Sequence, residues 1–160
     1  MASKQKRILL FDDDSFSLDA LKTYLELVEN YQIELTASGE VLDRLATERF
    51  DLICVDVMIQ SESPDAEGEP VMNVQYPGVK WQKIGIEFLK RLRAGAYAGV
   101  NTEGTPANVP VIVLSAIADV HNNSGVDAIA QIENSANTLW FEKPFDVEKI
   151  IEAIHTLIAE

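Results

Sequence analysis

Short apolar runs alternate along the chain with stretches of helical periodicity. The runs fall at Arg7–Phe11, Ile33–Ala37, Asp51–Val57, Val109–Leu114 and Thr138–Phe141. ICV (53–55) and VPVIVL (109–114) are apolar throughout, as strands of a parallel sheet covered on both faces are. Leu18, Leu21, Leu25 and Val28 recur at helical spacing behind the candidate caps Asp14 and Ser15. Val41, Leu42 and Leu45 follow Gly39 as a short second helix, and Phe88, Leu89 and Leu92 mark a third. A weaker helix over about 119–136 is interrupted by HNNSG (121–125), so its start is expected after Gly125. In the last helix Asp146 is placed to cap a stripe of Val147, Ile150, Ile151, Ile154, Leu157 and Ile158. Strands alternating with helices predict βαβ units. The expected architecture is α/β, a doubly wound five-stranded parallel sheet with five helices. Ligands of such sheets bind beyond the carboxyl ends of the strands.

Two segments exceed what this architecture needs. Residues 59–83 hold three prolines, two glycines and no clear period, and residues 94–109 are also loop-like. Loops longer than about 12–15 residues are usually functional or disordered. The chain is therefore read as one domain, 1–160, with insertions at about 59–83, after the third strand, and about 94–109. Over 60–79 the first insertion carries Glu62, Asp65, Glu67 and Glu69 and no basic residue. It is expected to form a lid or a partner-docking element, against the alternative of a tolerated surface loop.

Composition narrows the function classes. Apolar residues make up 47% of the 160 and charged residues 24%, which is ordinary globular composition. A net charge of −13 argues against a nucleic-acid surface, which needs a basic patch. The basic and then apolar N-terminus superficially resembles a signal peptide. However, the apolar run from Ile8 to Phe11 is shorter than an h-region of about 7–15 residues. No stretch approaches the roughly 18 apolar residues of a membrane span. A cytoplasmic location is expected. Cys54, the single cysteine, excludes an intramolecular disulfide and reads as a small buried hydrophobe. His121 and His155 stand far apart, which argues against zinc.

The strand ends carry the candidate chemistry. The first run ends in Asp12, Asp13 and Asp14, the third reaches Asp56, the fourth ends in Ser115, and Lys143 follows the fifth. In a parallel sheet these ends share one edge. Crowded carboxylates repel, and burial sharpens the repulsion, so a cation should offset the cost. Carboxylates with room for water and phosphate suit Mg²⁺. A lysine supplies a point charge for a phosphoryl oxygen, and a carboxylate can attack phosphorus. The set reads as a phosphoryl-transfer site. Each residue also has a plainer reading: Asp14 as a helix cap, Ser115 as a turn residue, Lys143 as a solvated charge.

ILLFDDD, DLICVDVM, VPVIVLSA and LWFEKPF, in that order, resemble the response-regulator receiver domains of two-component signalling. The resemblance covers almost the whole chain apart from the two long loops. It implies a flavodoxin-like, chemotaxis-regulator-like fold with Asp56 as the phosphoacceptor, supplied by phosphohistidine on a sensor histidine kinase or a histidine phosphotransfer protein. Asp12, Asp13, Asp56 and the Met58 backbone carbonyl would hold Mg²⁺. Lys143 would pair with the acceptor, Ser115 would bond the phosphoryl group and move on activation, and Trp140 would be the aromatic switch. The bond between Lys143 and Pro144 would be cis. The resemblance implies a phosphoprotein that binds a downstream target protein when phosphorylated, not an enzyme in its own right; charge and the short apolar runs argue against nucleic acid and membrane as partners. Because the chain stops at Glu160, a stand-alone receiver is expected, relaying phosphate or binding its target directly.

Gly85 matches the glycine that opens the third helix in the family, but it comes 29 residues after Asp56, whereas family members have a short loop there. Two rival readings follow from the same residues. One is a receiver-like interaction module that takes no phosphate. The other is a phosphatase of the haloacid-dehalogenase type, with Asp12 as nucleophile and Asp14 as acid/base. The second lacks an acidic pair after Lys143 and leaves Asp56 unexplained.

Overall fold

The computed structural model of the chain describes residues 5–14, 18–65, 67–98, 104–116 and 137–158. Among these, five strands form one sheet: β1 (Arg7–Phe11), β2 (Gln32–Leu35), β3 (Leu52–Asp56), β6 (Val111–Ala116) and β7 (Thr138–Lys143). Their order is β2-β1-β3-β6-β7, and every neighbouring pair is parallel. The four described helices are α1 (Asp19–Leu27), α2 (Glu40–Leu45), α3 (Ile84–Arg93) and α4 (Val147–Ile158). The expected helix over 119–136 lies outside the described residues.

The continuous apolar runs are explained by two cores, one on each face of the sheet. Leu9, Phe11, Ile53, Val55, Val111 and Val113 pack on one side with α2 and α3. Ile8, Leu10, Leu52, Cys54, Ile112 and Leu114 alternate with them and pack on the other side with α1 and α4. Side chains alternate along a strand, so a strand buried on both faces has no polar position. Each such side chain contributes roughly 1.5–3 kcal/mol on burial.

Helix boundaries depart from expectation where local chemistry differs. α1 begins at Asp19, with Leu18 in the cap position and no side-chain cap, so Asp14 does not cap it. Instead the Asp14 amide donates to Asp12 Oδ1 at 2.8 Å. Val28, assigned to the α1 stripe, falls after the helix and is 61% exposed. Asp146 does cap α4, its Oδ1 accepting from the Glu148 amide at 2.9 Å.

The first insertion is not structureless. β4 (Glu62–Pro64) and β5 (Pro70–Met72) pair as an antiparallel hairpin. Asp65 Oδ1 accepts from the amides of Glu67 and Glu69, both at 2.9 Å, and Gly68 takes the positive φ of 83° that the turn requires. Behind the hairpin, Asn73 ties its two ends together. Its amide donates to the Ser61 carbonyl at 2.9 Å and its Nδ2 to the Gln60 carbonyl at 3.0 Å. The chain then docks on the body, with the Val74 amide donating to the Ala37 carbonyl at 2.8 Å. Ile59, Val74 and Tyr76 are buried in the core that contains α2 and α3. The sequence shows no period here because these anchors are single residues in irregular backbone.

The second insertion joins the first. The Tyr76 and Tyr97 hydroxyls hydrogen-bond, and the Arg91 guanidinium lies 4.2 Å over the Tyr76 ring. Tyr97 stacks on Phe88 at 5.5 Å and Phe88 on Phe11 at 4.6 Å, so aromatic contact runs from the insertions to the end of β1.

Because the insertion is docked by its anchors, removing one should weaken the whole domain. Val74→Ala should lower the urea-unfolding free energy by about 2 kcal/mol. Met72→Ser, on the exposed hairpin, should change it by less than about 0.5 kcal/mol. Equal, negligible effects would mean the insertion folds independently of the core.

Candidate functional site

The parallel register delivers the strand ends to one edge. β1 runs directly into Asp12 and Asp13, β3 ends in Asp56, and β7 ends in Lys143. Carboxylate oxygens of Asp12, Asp13 and Asp56 lie within 4.8 Å of one another. Lys143 Nζ stands 3.1 Å from Asp56 Oδ2 and 3.5 Å from Asp12 Oδ2. The bond between Lys143 and Pro144 is cis, as the resemblance implies.

Electrostatics at this edge are unfavourable for so much negative charge. Asp12 is buried, and desolvation followed by the charge of Asp56 raises its carboxyl pKa to about 7, although Lys143 opposes the shift. Burial also raises Asp56, again against the pull of Lys143. For Lys143, burial disfavours the charged form, but Asp12 and Asp56 more than offset this and leave its pKa raised. One ammonium thus serves two buried carboxylates, and the site has spare affinity for a cation. Three converging carboxylates are the oxygen donors a hard divalent ion takes, and Mg²⁺ fits this set.

Backbone donors fix the carboxylates. The Met58 amide donates to Asp56 Oδ1 at 3.4 Å, and the Gln60 amide donates to Asp13 Oδ2 at 2.9 Å. The second of these comes from the insertion, so the hairpin's first residues help orient a carboxylate of the cluster. Gly85 fixes the other side. Its amide donates to the Val57 carbonyl at 2.9 Å, and a Cβ there would collide with the Asp56 carbonyl oxygen and lie 2.7 Å from Val57 Cα. Only glycine lets α3 start this close to the acid-bearing turn.

The other predicted residues fall nearby in different roles. Ser115 is fully buried near the end of β6, one residue beyond the register partner of Asp56, and its Oγ has no hydrogen-bond partner among the described residues. Trp140 lies within β7, opposite Val113, half-buried against the core of α2 and α3. Neither lines the open cleft at this edge. That cleft, of about 940 Å³, is lined by Asp13, Asp14, Asp56, Lys143 and Trp81, with the segment from Met58 to Asp65 as its outer wall. Sequence reasoning missed Trp81, Gln60 and the cleft-facing role of Glu62 and Asp65. The acidic bias of 60–79 was visible, but not which of its acids line the cleft. Cys54 is buried between the strands, which pushes its thiol up to about 12 and leaves it inert packing.

No protein-family model matches the chain. Curated proteins do. The chain is 26% identical over 153 residues to the response regulator MprA of Mycobacterium tuberculosis, covering 95% of this chain and 50% of that protein. It is 26% identical over 147 residues to sporulation initiation phosphotransferase F of Bacillus subtilis, covering 91% of this chain and 89% of that protein. The chain spans about half the length of the mycobacterial relative it matches. Among solved structures, the receiver domain of sensor histidine kinase PA1611 from Pseudomonas aeruginosa superposes with a TM-score of 0.58 at 20% identity. The match covers 98% of this chain and all of that one, whose active-site cleft is described with a coordinated magnesium ion. The fold is that of a response-regulator receiver domain, and the sequence relatives are response regulators. No described helix is long and apolar enough to cross a membrane.

Charge crowding predicts a pH dependence in EDTA. The folded-state pKa of Asp12, about 7, lies above its unfolded value, so stability is fullest below pH 4 as far as this group is concerned and is lost as pH rises through 7. At pH 7.5 without divalent cations, Asp12→Asn should unfold at higher urea than the natural chain, by about 2 kcal/mol. It should also flatten the loss between pH 5 and 7. A less stable variant would show that Lys143 needs both carboxylates.

Proposed function

We propose that the chain accepts a phosphoryl group on Asp56 and thereby switches a protein-binding surface, as a receiver in a two-component pathway. The observation that carries this reading is the placement of Asp56. Its carboxylate lines the open cleft with Lys143 Nζ 3.1 Å away, whereas Asp12 is buried behind it. A nucleophile must be reachable from solvent, and of the two buried acids Asp56 is the one that lines the cleft. This placement favours Asp56 over Asp12 and disfavours the phosphatase reading.

In the step proposed, an Asp56 carboxylate oxygen forms a bond to phosphorus as the P–N bond to the donor histidine breaks. The bonding electron pair returns to the imidazole nitrogen. Lys143 holds Asp56 in place and then faces the added negative charge as a fixed point charge. Asp12, Asp13, Asp56 and the Met58 carbonyl would hold Mg²⁺, whose charge would offset that of the carboxylates and the phosphoryl oxygens. The magnesium in the PA1611 receiver cleft supports this assignment. The unpartnered Ser115 Oγ is a hydroxyl free to turn toward a phosphoryl oxygen on Asp56. Trp140 packs on the same core as the strand ends, a position from which repacking around Ser115 would reach the surface.

A sensor histidine kinase or a histidine phosphotransfer protein is the proposed donor, and a target protein that distinguishes the phosphorylated form is the proposed recipient. The similarity to sporulation initiation phosphotransferase F, matched over most of both chains, supports a phosphotransfer role.

Intact mass after incubation with Mg²⁺ and phosphoramidate or acetyl phosphate tests the reading. One phosphoryl adduct should form, should require Mg²⁺, and should vanish in Asp56→Asn. Lys143→Met should bind the cation yet label at least about tenfold more slowly, having lost its positioned charge. Folded protein that binds Mg²⁺ but gains the adduct neither from these small donors nor from a phosphohistidine peptide would favour an interaction module that takes no phosphate.

A further inference from the structure

The hairpin places a second set of charges over the reactive edge. Glu62 and Asp65 stand in the cleft wall, so the described residues that line the cleft include five acids (Asp13, Asp14, Asp56, Glu62 and Asp65) and one cation, Lys143. Trp81, 44% exposed, closes the wall where the insertion returns to α3.

This wall is fixed in place. The Ile59 amide donates to the Trp81 carbonyl at 3.0 Å, closing the base of the insertion. Asn73 bonds across the hairpin's root, and Ser38 bridges to Asn73 from the loop after β2. Val74 and Tyr76 are buried behind it, and the Gln60 amide grips Asp13. A segment held at its base, its root and its metal-site end acts as a rim and not as a swinging flap. Among the described residues, Glu62 and Asp65 line the cleft that opens onto Asp56.

We propose that this rim selects the phosphoryl donor. Glu62, Asp65 and Trp81 admit a phosphohistidine presented on a surface rich in lysine and arginine, and hold off small free anions such as acyl phosphates. The inference rests on the reading of Asp56 as acceptor. Like charges lining a cleft focus their potential and lower the local concentration of anions, while cationic groups are drawn in. The phosphoryl group of any donor is itself negative. A protein donor can offset that with flanking basic side chains, and a free dianion has nothing to offset it. The exposed indole of Trp81 offers an arginine or lysine a face to stack on.

Four probes test this with the full chain and Mg²⁺. Two are small donors: acetyl phosphate, from which acetate leaves with the P–O electron pair, and phosphoramidate. Phosphoramidate carries about one negative charge fewer at neutral pH and loses ammonia as the P–N bond breaks. The others are synthetic phosphohistidine peptides, one flanked by lysine and arginine and one by aspartate and glutamate. The variant is E62Q combined with D65N. Both residues are exposed, and asparagine keeps the Oδ1 acceptor that holds the hairpin turn.

The natural chain should take phosphate from the basic peptide at least about tenfold faster than from the acidic one. The double variant should narrow that ratio, label about three- to tenfold faster with acetyl phosphate, gain less with phosphoramidate, and show a flatter salt dependence. Labelling at equal rates by both peptides, or a ratio unchanged in the variant, overturns the rim's role while leaving Asp56 as acceptor. Absence of labelling by all four donors, in natural chain and variant alike, removes the acceptor reading itself and the inference with it.

Discussion

Asp12, Asp13 and Asp56 bring carboxylate oxygens within 4.8 Å of one another, and Lys143 reaches Asp12 and Asp56 from the end of β7. Two of these acids are buried, so water does little to screen them. An arrangement this costly persists only if the surrounding structure holds it, and the surroundings here are rigid. β1, β3 and β7 are locked in a parallel ladder whose two faces are both covered by helices. The ladder sets where each acid emerges, and the backbone amides of Asp14, Met58 and Gln60 hold their oxygens. The resulting field is strongly negative at one point and only partly offset by one lysine. A divalent cation is the charge that such a field attracts.

Much of this was legible because it follows from period and position. A strand buried on both faces must be apolar throughout, so LLF at 9–11 and ICV at 53–55 could be read as central strands. Once strands are parallel, residues at their ends share an edge whatever their separation in sequence. Asp12 and Lys143, 131 residues apart, could be brought together on paper for that reason. Gly85 was legible only through the family resemblance, and the structure supplies its reason: a Cβ there would collide with the Asp56 carbonyl oxygen.

The remainder was not legible because it depends on single contacts. Nothing in the periodicity of 59–83 distinguishes Asn73 from its polar neighbours, yet its side chain ties the hairpin's root. Val74 and Tyr76 occur where no amphipathic pattern exists, because they descend individually into the core between irregular backbone. The start of α1 also differs from the sequence reading: Asp14 is a good cap by type, but the helix begins at Asp19 with Leu18 in the cap position and no side-chain cap.

The two long segments between the elements meet the site at different points. They leave the sheet order and the acid–lysine edge untouched, and they meet each other through Tyr76 and Tyr97 on the α3 side of the molecule. One end of the first insertion reaches the cluster itself through Gln60, and its hairpin stands beside Asp56. The residues of the first insertion on the cleft side are acidic and aromatic, and apolar side chains anchor it beneath. The strands place the acids and the lysine, while the insertion both walls the cleft and holds Asp13 through the Gln60 amide, so acid placement and cleft shape are coupled at that one contact.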